Sequence, residues 1–306
     1  MSLSVAMKTA ASGLVAAQTA IRTVSDNIAN VNTPGYVRKQ TNQQQLVVNG
    51  RGMGVEVTGI ERVTDQYLQT ASLTASSDSS RWNAISQYLD NAQSLFGDPS
   101  GDSFFFSRLD DIWNSFATAA DDPSSTLLRG QAVSSMEDFL SEAGRINNQI
   151  SELGRTVDSQ ITSDVQRIND LLSQINSLNT DISRANLVNA DGSGSENIQS
   201  GLVDELATLM NIQVSVRDGG GVTVRSSEGY LLAGDGASSV LAYNRTDATK
   251  GYVTTQAADG SGRPRAIEVT GGELRGLMDL RDTKLPGLAD QLGEFVARTA
   301  EQINRA

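Results

Sequence analysis

Leu3, Met7, Ala10, Leu14, Ala17, Ile21, Val24, Ile28 and Val31 follow one another at alternating steps of four and three residues. On a helix this is an unbroken apolar stripe. Met7, Leu14, Ile21 and Ile28 hold one heptad position; Leu3, Ala10, Ala17, Val24 and Val31 hold the other. The opposite face carries Lys8, Gln18, Arg22, Asp26 and Asn27. The small alanines let a partner helix come close. A helix of about 28 residues runs roughly 40 Å, long for a small core to cover.

The stripe ends in Ala29-Asn30-Val31-Asn32-Thr33-Pro34-Gly35-Tyr36. Asn suits a left-handed helix end. Thr33, preceding proline, is pushed out of the helical region. Pro34-Gly35 has the chemistry of a type II turn, and Tyr36 can lay its ring back on the helix end. The whole string from Ser25 to Tyr36 resembles the N-terminal motif of bacterial flagellar axial proteins, the rod, hook and hook-associated proteins. The resemblance implies that this helix pairs with a C-terminal helix and that many copies line a central channel.

Charge and composition narrow the function classes. There are 24 basic and 36 acidic residues, net −12, while residues 1–60 carry five basic and two acidic groups. An acidic chain without a basic cluster argues against nucleic acid. There is no cysteine and no histidine. That removes disulfides, thiol nucleophiles, thiolate metal sites and His-based triads. Lys8 followed by Ala10–Ala20 has the outline of a signal peptide, but Gln18 interrupts it and the heptad continues beyond. No stretch approaches the ~18 apolar residues of a membrane span.

The remaining chain reads as a mainly α protein. The expected architecture is an elongated long-helix bundle, with a small β-hairpin near the N-terminus and a small β-rich unit inserted before the C-terminal helix. The expected segments are 1–36 (helix and turn), 37–63 (hairpin linker), 64–210 (bundle), 211–270 (β-rich unit) and 271–306 (returning helix). Gln45–Val48 and Val55, Val57 and Ile60 form the hairpin around Asn49-Gly50. Such a hairpin needs something to lean on. Trp82, Ile85, Leu89, Ala92 and Phe96 make one helical stripe; Phe104, Phe105, Phe106, Leu109, Ile112, Trp113 and Phe116 make another, read as bundle core. Asp122-Pro123 is expected to cap and open the next helix. From about 140 to 188 three- and four-residue steps predict one very long helix or two in line, up to ~70 Å. Asn189–Ser195 lacks the acids and closing Glu of a calcium loop. Short alternating runs from Ile212 to Val269 are strands, with Gly219-Gly220-Gly221 a hairpin turn and not a phosphate loop. Pro286 perturbs the final helix.

Further strings sharpen the resemblance. Gly52–Leu68, Leu95–Gly101, Ile175–Asn179 and Gly271–Asp282 resemble the hook–filament junction family among the hook-associated proteins. The resemblance implies a non-enzymatic structural subunit without cofactors, located outside the cell at the hook–filament junction. It implies export through the flagellar type III apparatus with an export chaperone and no cleaved signal. The implied partners are hook subunits, self-neighbours and the next hook-associated protein, with no nucleic acid and no small-molecule substrate. Leu3, Met7, Leu14, Ile21 and Ile28 are the expected axial self-assembly residues; Asn30, Asn32, Thr33, Pro34, Gly35 and Tyr36 set the bend. Family members run on past this point to a C-terminal axial helix. With the sequence ending at Ala306, the expectation is a truncated chain or a short member, lacking the partner for the 3–31 stripe. The rivals are a hook or rod subunit, a hydrolase using Asp218, Glu228 and Asp235, and a membrane-active coiled-coil protein.

Overall fold

The computed structural model describes residues 3–33, 35–48, 50–101, 104–188, 191–234, 236–246 and 250–305. In order, the chain forms α1 (Leu3–Ala29), β1 (Lys39–Val48), β2 (Arg51–Arg62), α2 (Gln66–Ser94), α3 (Ser107–Asp121), α4 (Thr126–Leu187) and α5 (Ser193–Leu209). Six strands follow: β3 (Ile212–Val216), β4 (Val222–Ser226), β5 (Leu231–Gly234), β6 (Ala237–Arg245), β7 (Gly251–Ala257) and β8 (Arg265–Ile267). Then come α6 (Gly272–Asp279), a π-helical turn (Leu280–Lys284) and α7 (Leu285–Arg305). The protein is thus mainly helical, with an N-terminal hairpin and a β-sheet inserted before the last helices.

The chain divides into two compact units. The first comprises Met1–Ser77, Gln166–Ala242 and Thr254–Thr270. Its core joins Ile168, Leu171, Leu172, Ile175 and Ile182 of α4 to Val203 and Leu206 of α5 and to Val224, Leu232 and Leu241 of the sheet, all buried. The sheet runs in chain order from β3 to β8, and β3–β4, β4–β5 and β5–β6 are antiparallel. Two asparagines of α4 fasten it. Asn169 Nδ2 donates to Leu241 O (2.9 Å) and its Oδ1 accepts from Leu241 N (2.7 Å). Asn179 does the same to Val222, at 2.8 and 2.7 Å, and also accepts from Gln199 Nε2. A primary amide offers one donor beside one acceptor, the pattern an outward-turned strand residue presents. At the β3–β4 turn Gly221 has φ +79°, and a Cβ there would collide with the Asn179 amide.

The second unit comprises Asp78–Val165, Tyr243–Val253 and Gly271–Ala306. Its core strings Ile146, Ile150, Val157 and Ile161 of α4 against Ile85 and Ala92 of α2 and Leu274, Leu277 and Leu292 of the last helices. Phe105, fully buried, stacks on Phe139 (5.2 Å between rings) and meets Phe96 edge-on at 5.9 Å. The expected aromatic core therefore forms, but with changes. Phe104–Phe106 precede α3 rather than belonging to it, and Trp82 and Trp113 are 60% and 50% exposed. Trp82 instead lies beneath the Arg81 guanidinium.

The start of α4 is also corrected. Asp122 Oδ1 accepts from Ser124 N and Oγ in a local turn, and the helix opens at Thr126 with Ser125 Oγ accepting from Leu128 N. The Asp side chain is drawn into its own turn and leaves the cap to Ser125. From there α4 runs without a break for 62 residues. Pro286 acts as expected but upstream. Proline lacks an N–H and its ring crowds the carbonyl four residues back. The chain widens to a π turn just before it, with Leu285 N bonding Leu280 O.

Two polar clusters sit in this unit. The Arg281 side chain, 3% exposed, donates from Nε to Asp158 Oδ1 (2.6 Å), which also accepts from Tyr243 OH (3.0 Å). Asp158 Oδ2 pairs with Arg245 (2.5 Å). Asp164 is 4% exposed; its Oδ1 accepts from Gln160 Nε2 at 2.9 Å, and its Oδ2 is buried without a bond among the described residues. Burial, and then the charge of Glu273, push the Asp164 carboxyl up to about 7. Burial raises Glu273 as well.

Candidate assembly surface on the N-terminal helix

α1 carries two stripes. The one turned toward the hairpin is small and polar: Ser12, Ala16, Thr19, Thr23, Asp26, Asn27 and Asn30 are half-buried or buried at steps of four, three, four, three, one and three. Thr41 Oγ1 donates to Thr23 Oγ1 at 3.0 Å, and Val55 N donates to Ser12 Oγ at 3.2 Å. Asn27 repeats the device of Asn169 and Asn179. Its Nδ2 donates to Lys39 O (2.9 Å) and its Oδ1 accepts from Lys39 N (2.8 Å). The hairpin thus leans on α1 through hydrogen bonds that join small polar side chains of the helix to strand backbone and to the Thr41 hydroxyl.

The apolar stripe lies on the other side, uncovered. Leu3 is 79% exposed, Met7 66%, Leu14 61%, Ile21 67% and Ile28 69%. Val24 and Val31 are exposed with them. Burying a side chain of this size is worth roughly 1.5–3 kcal/mol. Five such groups in one line leave an uncovered apolar face along the helix.

The turn that ends α1 is tied to Asn27. Asn30 Nδ2 donates to Asp26 O (3.0 Å), Thr33 Oγ1 donates to Asn30 Oδ1 (3.3 Å), and Thr33 N reaches Asn30 O (2.9 Å). Tyr36 N closes the next turn on Thr33 O (3.1 Å), where Gly35 has φ +76°, the sign a type II turn demands of its third residue. The Tyr36 ring does fold back: its hydroxyl donates to Asn27 Oδ1 at 3.0 Å. Burial and the Asp26 carboxylate push that hydroxyl's pKa up. Lys39 Nζ lies over the ring and 3.9 Å from Asp26. Asn32 is exposed, and Pro34 lies outside the described residues. The structure thus joins Asn30, Thr33, Gly35 and Tyr36 in one bonded turn, and Tyr36 ties it to Asn27, a residue that stripe analysis assigns only to the polar face. Its signal is the Asn-x-x-Asn spacing within the motif; nothing in the heptad marks it.

The other end of the hairpin docks on α5. Arg62 Nη1 donates to Glu196 O (3.2 Å), while its Nε and Nη2 are buried without bonds among the described residues. Burial lowers the Arg62 pKa, and burial raises Glu196 and Asp204. A polar cleft of about 490 Å³ lies between Thr19 and Arg22 of α1, Val57–Ile60 of β2, and Asp191–Ser193 with Glu196. Asp191 is engaged in the turn that opens α5, accepting from Ser193 N and Oγ. Of the candidate acids in the β-rich unit, Glu228 accepts from Glu268 N at 2.9 Å, Asp218 lies in the β3–β4 turn, and Asp235 lies outside the described residues. No helix among the described residues is long and apolar enough to cross a membrane.

Long helices, an N-terminal hairpin and a six-stranded sheet inserted before the last helices define a class, the mainly helical proteins with small β insertions. A family model described as the flagellar hook-associated protein FlgK helical domain matches residues 89–306, and a flagella basal body rod protein model matches residues 7–36. The chain belongs to the flagellar hook-associated protein FlgK family. It is 27% identical over 305 residues to flagellar hook-associated protein 1 of Escherichia coli K12, and 29% identical over 307 residues to that of Salmonella typhimurium. Each alignment takes in 96% of this chain and 55% of the relative, so the chain spans about half the length of those relatives. It is also 39% identical over 80 residues to the flagellar hook protein FlgE of Caulobacter vibrioides, 26% of this chain and 14% of that protein. Among solved structures, the flagellar hook junction protein FlgK from Burkholderia pseudomallei matches with a TM-score of 0.59 at 24% identity, over 70% of this chain and 38% of that one. That match supports the fold.

Proposed function

We propose that this chain is a non-enzymatic structural subunit of the bacterial flagellum that joins hook to filament and polymerises through its terminal helix. One observation carries the reading. The 3–31 stripe is fully patterned for a coiled coil, yet in the single chain it faces solvent, while the reverse side of the same helix is held to the hairpin. A surface that orders only when a neighbour arrives delays polymerisation until a growing tip offers the partner. Head-to-tail addition of like copies then extends the structure without closing it.

In this reading Leu3, Met7, Leu14, Ile21 and Ile28 face other axial helices. Asn30, Asn32, Thr33, Pro34, Gly35 and Tyr36 set the angle at which the chain leaves the tube. The partners are hook subunits, neighbouring copies and the next hook-associated protein. The chain reaches the cell exterior through the flagellar type III apparatus, with an export chaperone and without signal cleavage. The rod-type match over residues 7–36 and the hook-protein relative support a terminal helix shared with other axial proteins. The helical-domain match over residues 89–306 favours the junction over the rod or hook reading.

The test is deletion of the gene, with cells imaged by electron microscopy and the medium blotted for flagellin. Hooks without filaments, and flagellin lost to the medium, are expected. Filaments of normal length would sink the junction role. Complementation with Leu14→Asp plus Ile21→Asp should leave the deletion phenotype in place.

A further inference from the structure

α1 and the hairpin form one body. Asn27 clasps Lys39, Thr41 Oγ1 donates to Thr23 Oγ1, and Val55 N donates to Ser12 Oγ. The chain leaves this body through residues 63–65, all exposed. Val63 N donates to Arg38 O (2.9 Å) at the root of the hairpin, and Asp65 Oδ1 accepts from Tyr67 N (2.9 Å) at the start of α2. Thr64 stands between them and bonds to neither element among the described residues. Short segments at the ends of elements are where hinges absorb a change of backbone angle.

The body meets α5 at a seam with little to hold it. Among the described residues one hydrogen bond joins the two, from Arg62 Nη1 to Glu196 O at 3.2 Å. Two clefts adjoin the seam. One, of about 490 Å³, separates β2 from Glu196. The other, of about 460 Å³, separates Thr33, Gly35 and Tyr36 from Gly194, Asn197 and Gly201. Protein interiors leave few polar groups unpaired. Of the eight buried side-chain polar atoms without a bond among the described residues, three lie here: Arg62 Nε, Arg62 Nη2 and Asn197 Oδ1. The two arginine nitrogens share one edge of the guanidinium, and two parallel N–H groups match the two oxygens of a carboxylate. A carboxylate is at hand. Glu196 is half-buried, lines the larger cleft, and its side chain bonds nothing among the described residues. Burial lowers the Arg62 pKa and raises that of Glu196, so each charge bears a desolvation cost that pairing would offset.

We infer that the α1–hairpin body swings on α5 between two positions, hinged at residues 63–65, and that the Glu196 carboxylate is the catch of the second position. In the first, Arg62 holds the Glu196 carbonyl and the larger cleft stands open. In the second, β2 moves into that cleft, and Arg62 Nε and Nη2 donate to the two carboxylate oxygens side-on. The free edge of Arg62 and the free carboxylate of Glu196 are then satisfied by one movement. Asp204 is the other acid near Arg62, but it is exposed, lies about two turns further along α5 and does not line the cleft. The swing changes the angle of α1 to α5. Its use, letting the terminal helix follow axial neighbours at more than one angle, rests on the junction reading; the movement itself does not.

The test uses the full chain. It has no cysteine, so a pair placed across the cleft reports closure. Thr58→Cys with Asn186→Cys puts one thiol on each wall, at exposed positions. The rate of disulfide formation in oxidised glutathione registers a closed form even when it is the minor one. Adding Glu196→Gln or Arg62→Gln should slow that rate about tenfold or more, with thermal melting close to that of the parent pair. Arg62→Lys, which keeps the charge and loses the fork, should slow it as well. Asp204→Asn should leave it unchanged. A fixed seam predicts the opposite sign, since removing its one bond would loosen it and speed the reaction. An unchanged or faster rate in Glu196→Gln would therefore overturn the proposal. So would no disulfide from the parent pair, or slowing by Asp204→Asn and not by Glu196→Gln. The measurement is made on the single chain and stands apart from the gene deletion. Slowed disulfides with normal filaments in the deletion strain keep the swing and remove its use. Hooks without filaments and an unchanged rate keep the junction reading and remove the swing.

Discussion

α1 and α4 carry the same kind of stripe and meet opposite fates. In α4 the residues Ile146, Ile150, Val157, Ile161, Ile168, Leu172, Ile175 and Ile182 are at most 3% exposed. In α1 the corresponding Leu3, Met7, Leu14, Ile21 and Ile28 are all above 60%. A heptad pattern states that a helix needs a partner; it does not state which chain supplies it. The bundle helices find partners nearby in sequence or in the returning C-terminal segment. Among the described residues α1 packs on the hairpin, and it offers that hairpin its small polar side.

The comparison predicts unequal costs for one kind of substitution. Ile161→Ala, at a fully buried site, should destabilise the folded chain by about 2–5 kcal/mol. Denaturant unfolding followed by circular dichroism measures it. A loss below about 1 kcal/mol would mean that α4 tolerates a gap there and that the contrast with α1 is weaker than burial indicates.

The amide clasps offer a second contrast. Asn179, 1% exposed, and Asn27, half-buried, bond strand backbone in the same way. Asn179→Ala leaves the half-buried Val222 groups and the buried Gln199 amide without their partner and should cost about 1–3 kcal/mol. Asn27→Ala should cost less in global stability, because water reaches the groups it frees. Its effect should be local: faster exchange at Lys39 and faster proteolysis of the hairpin. Equal global losses would mean that α1 and the hairpin unfold together with the rest.

Asp164 breaks the apolar stripe of α4 and sets a pH dependence. Its folded pKa is raised from an ordinary value near 3.9 to about 7. Between those values the folded chain holds a proton that the unfolded chain has lost. Stability contributed by this group is therefore full below about pH 4, falls as pH rises to 7, and does not change further above it. The slope is at most about 1.4 kcal/mol per pH unit. Asp164→Asn should flatten the curve and leave the variant more stable than wild type at pH 8. Urea unfolding at pH 4.5, 6 and 8 checks the sign; a wild type that gains stability across this window would refute it.

Much of this was legible in the residues. Periodicity located the helices, the Asn-Gly and Gly-Gly-Gly turns located the hairpins, and Pro286 announced the disturbance in the last helix. The polar fasteners were missed for one reason. Stripe analysis weighs apolar residues, and it passed over Thr23, Asn27, Asn169 and Asn179, which work through hydrogen bonds to strands far away in sequence. Trp82 and Trp113 fit helical stripes by spacing but face solvent, since spacing fixes which residues share a face and not how wide the covered face is. The exchange of Asp122 for Ser125 as the cap of α4 turned on a local competition that the Asp-Pro pair alone did not reveal.

The smallest expected effect on folding is the most informative. Ile21→Ala removes an apolar side chain that is already 67% exposed, so the monomer should change by less than about 0.5 kcal/mol. In a strain lacking the wild-type chain, the same variant should lower filament number, and Leu14→Ala with Ile21→Ala should lower it further. Stability and assembly are then uncoupled at α1, whereas at Ile161 they fall together. Should Ile21→Ala lower the melting temperature as Ile161→Ala does, the stripe is covered within the single chain in solution and the contrast between the helices disappears. A variant neutral to folding and harmful to filaments leaves one physical account: the partner of α1 is another subunit, and its burial energy is released only on assembly.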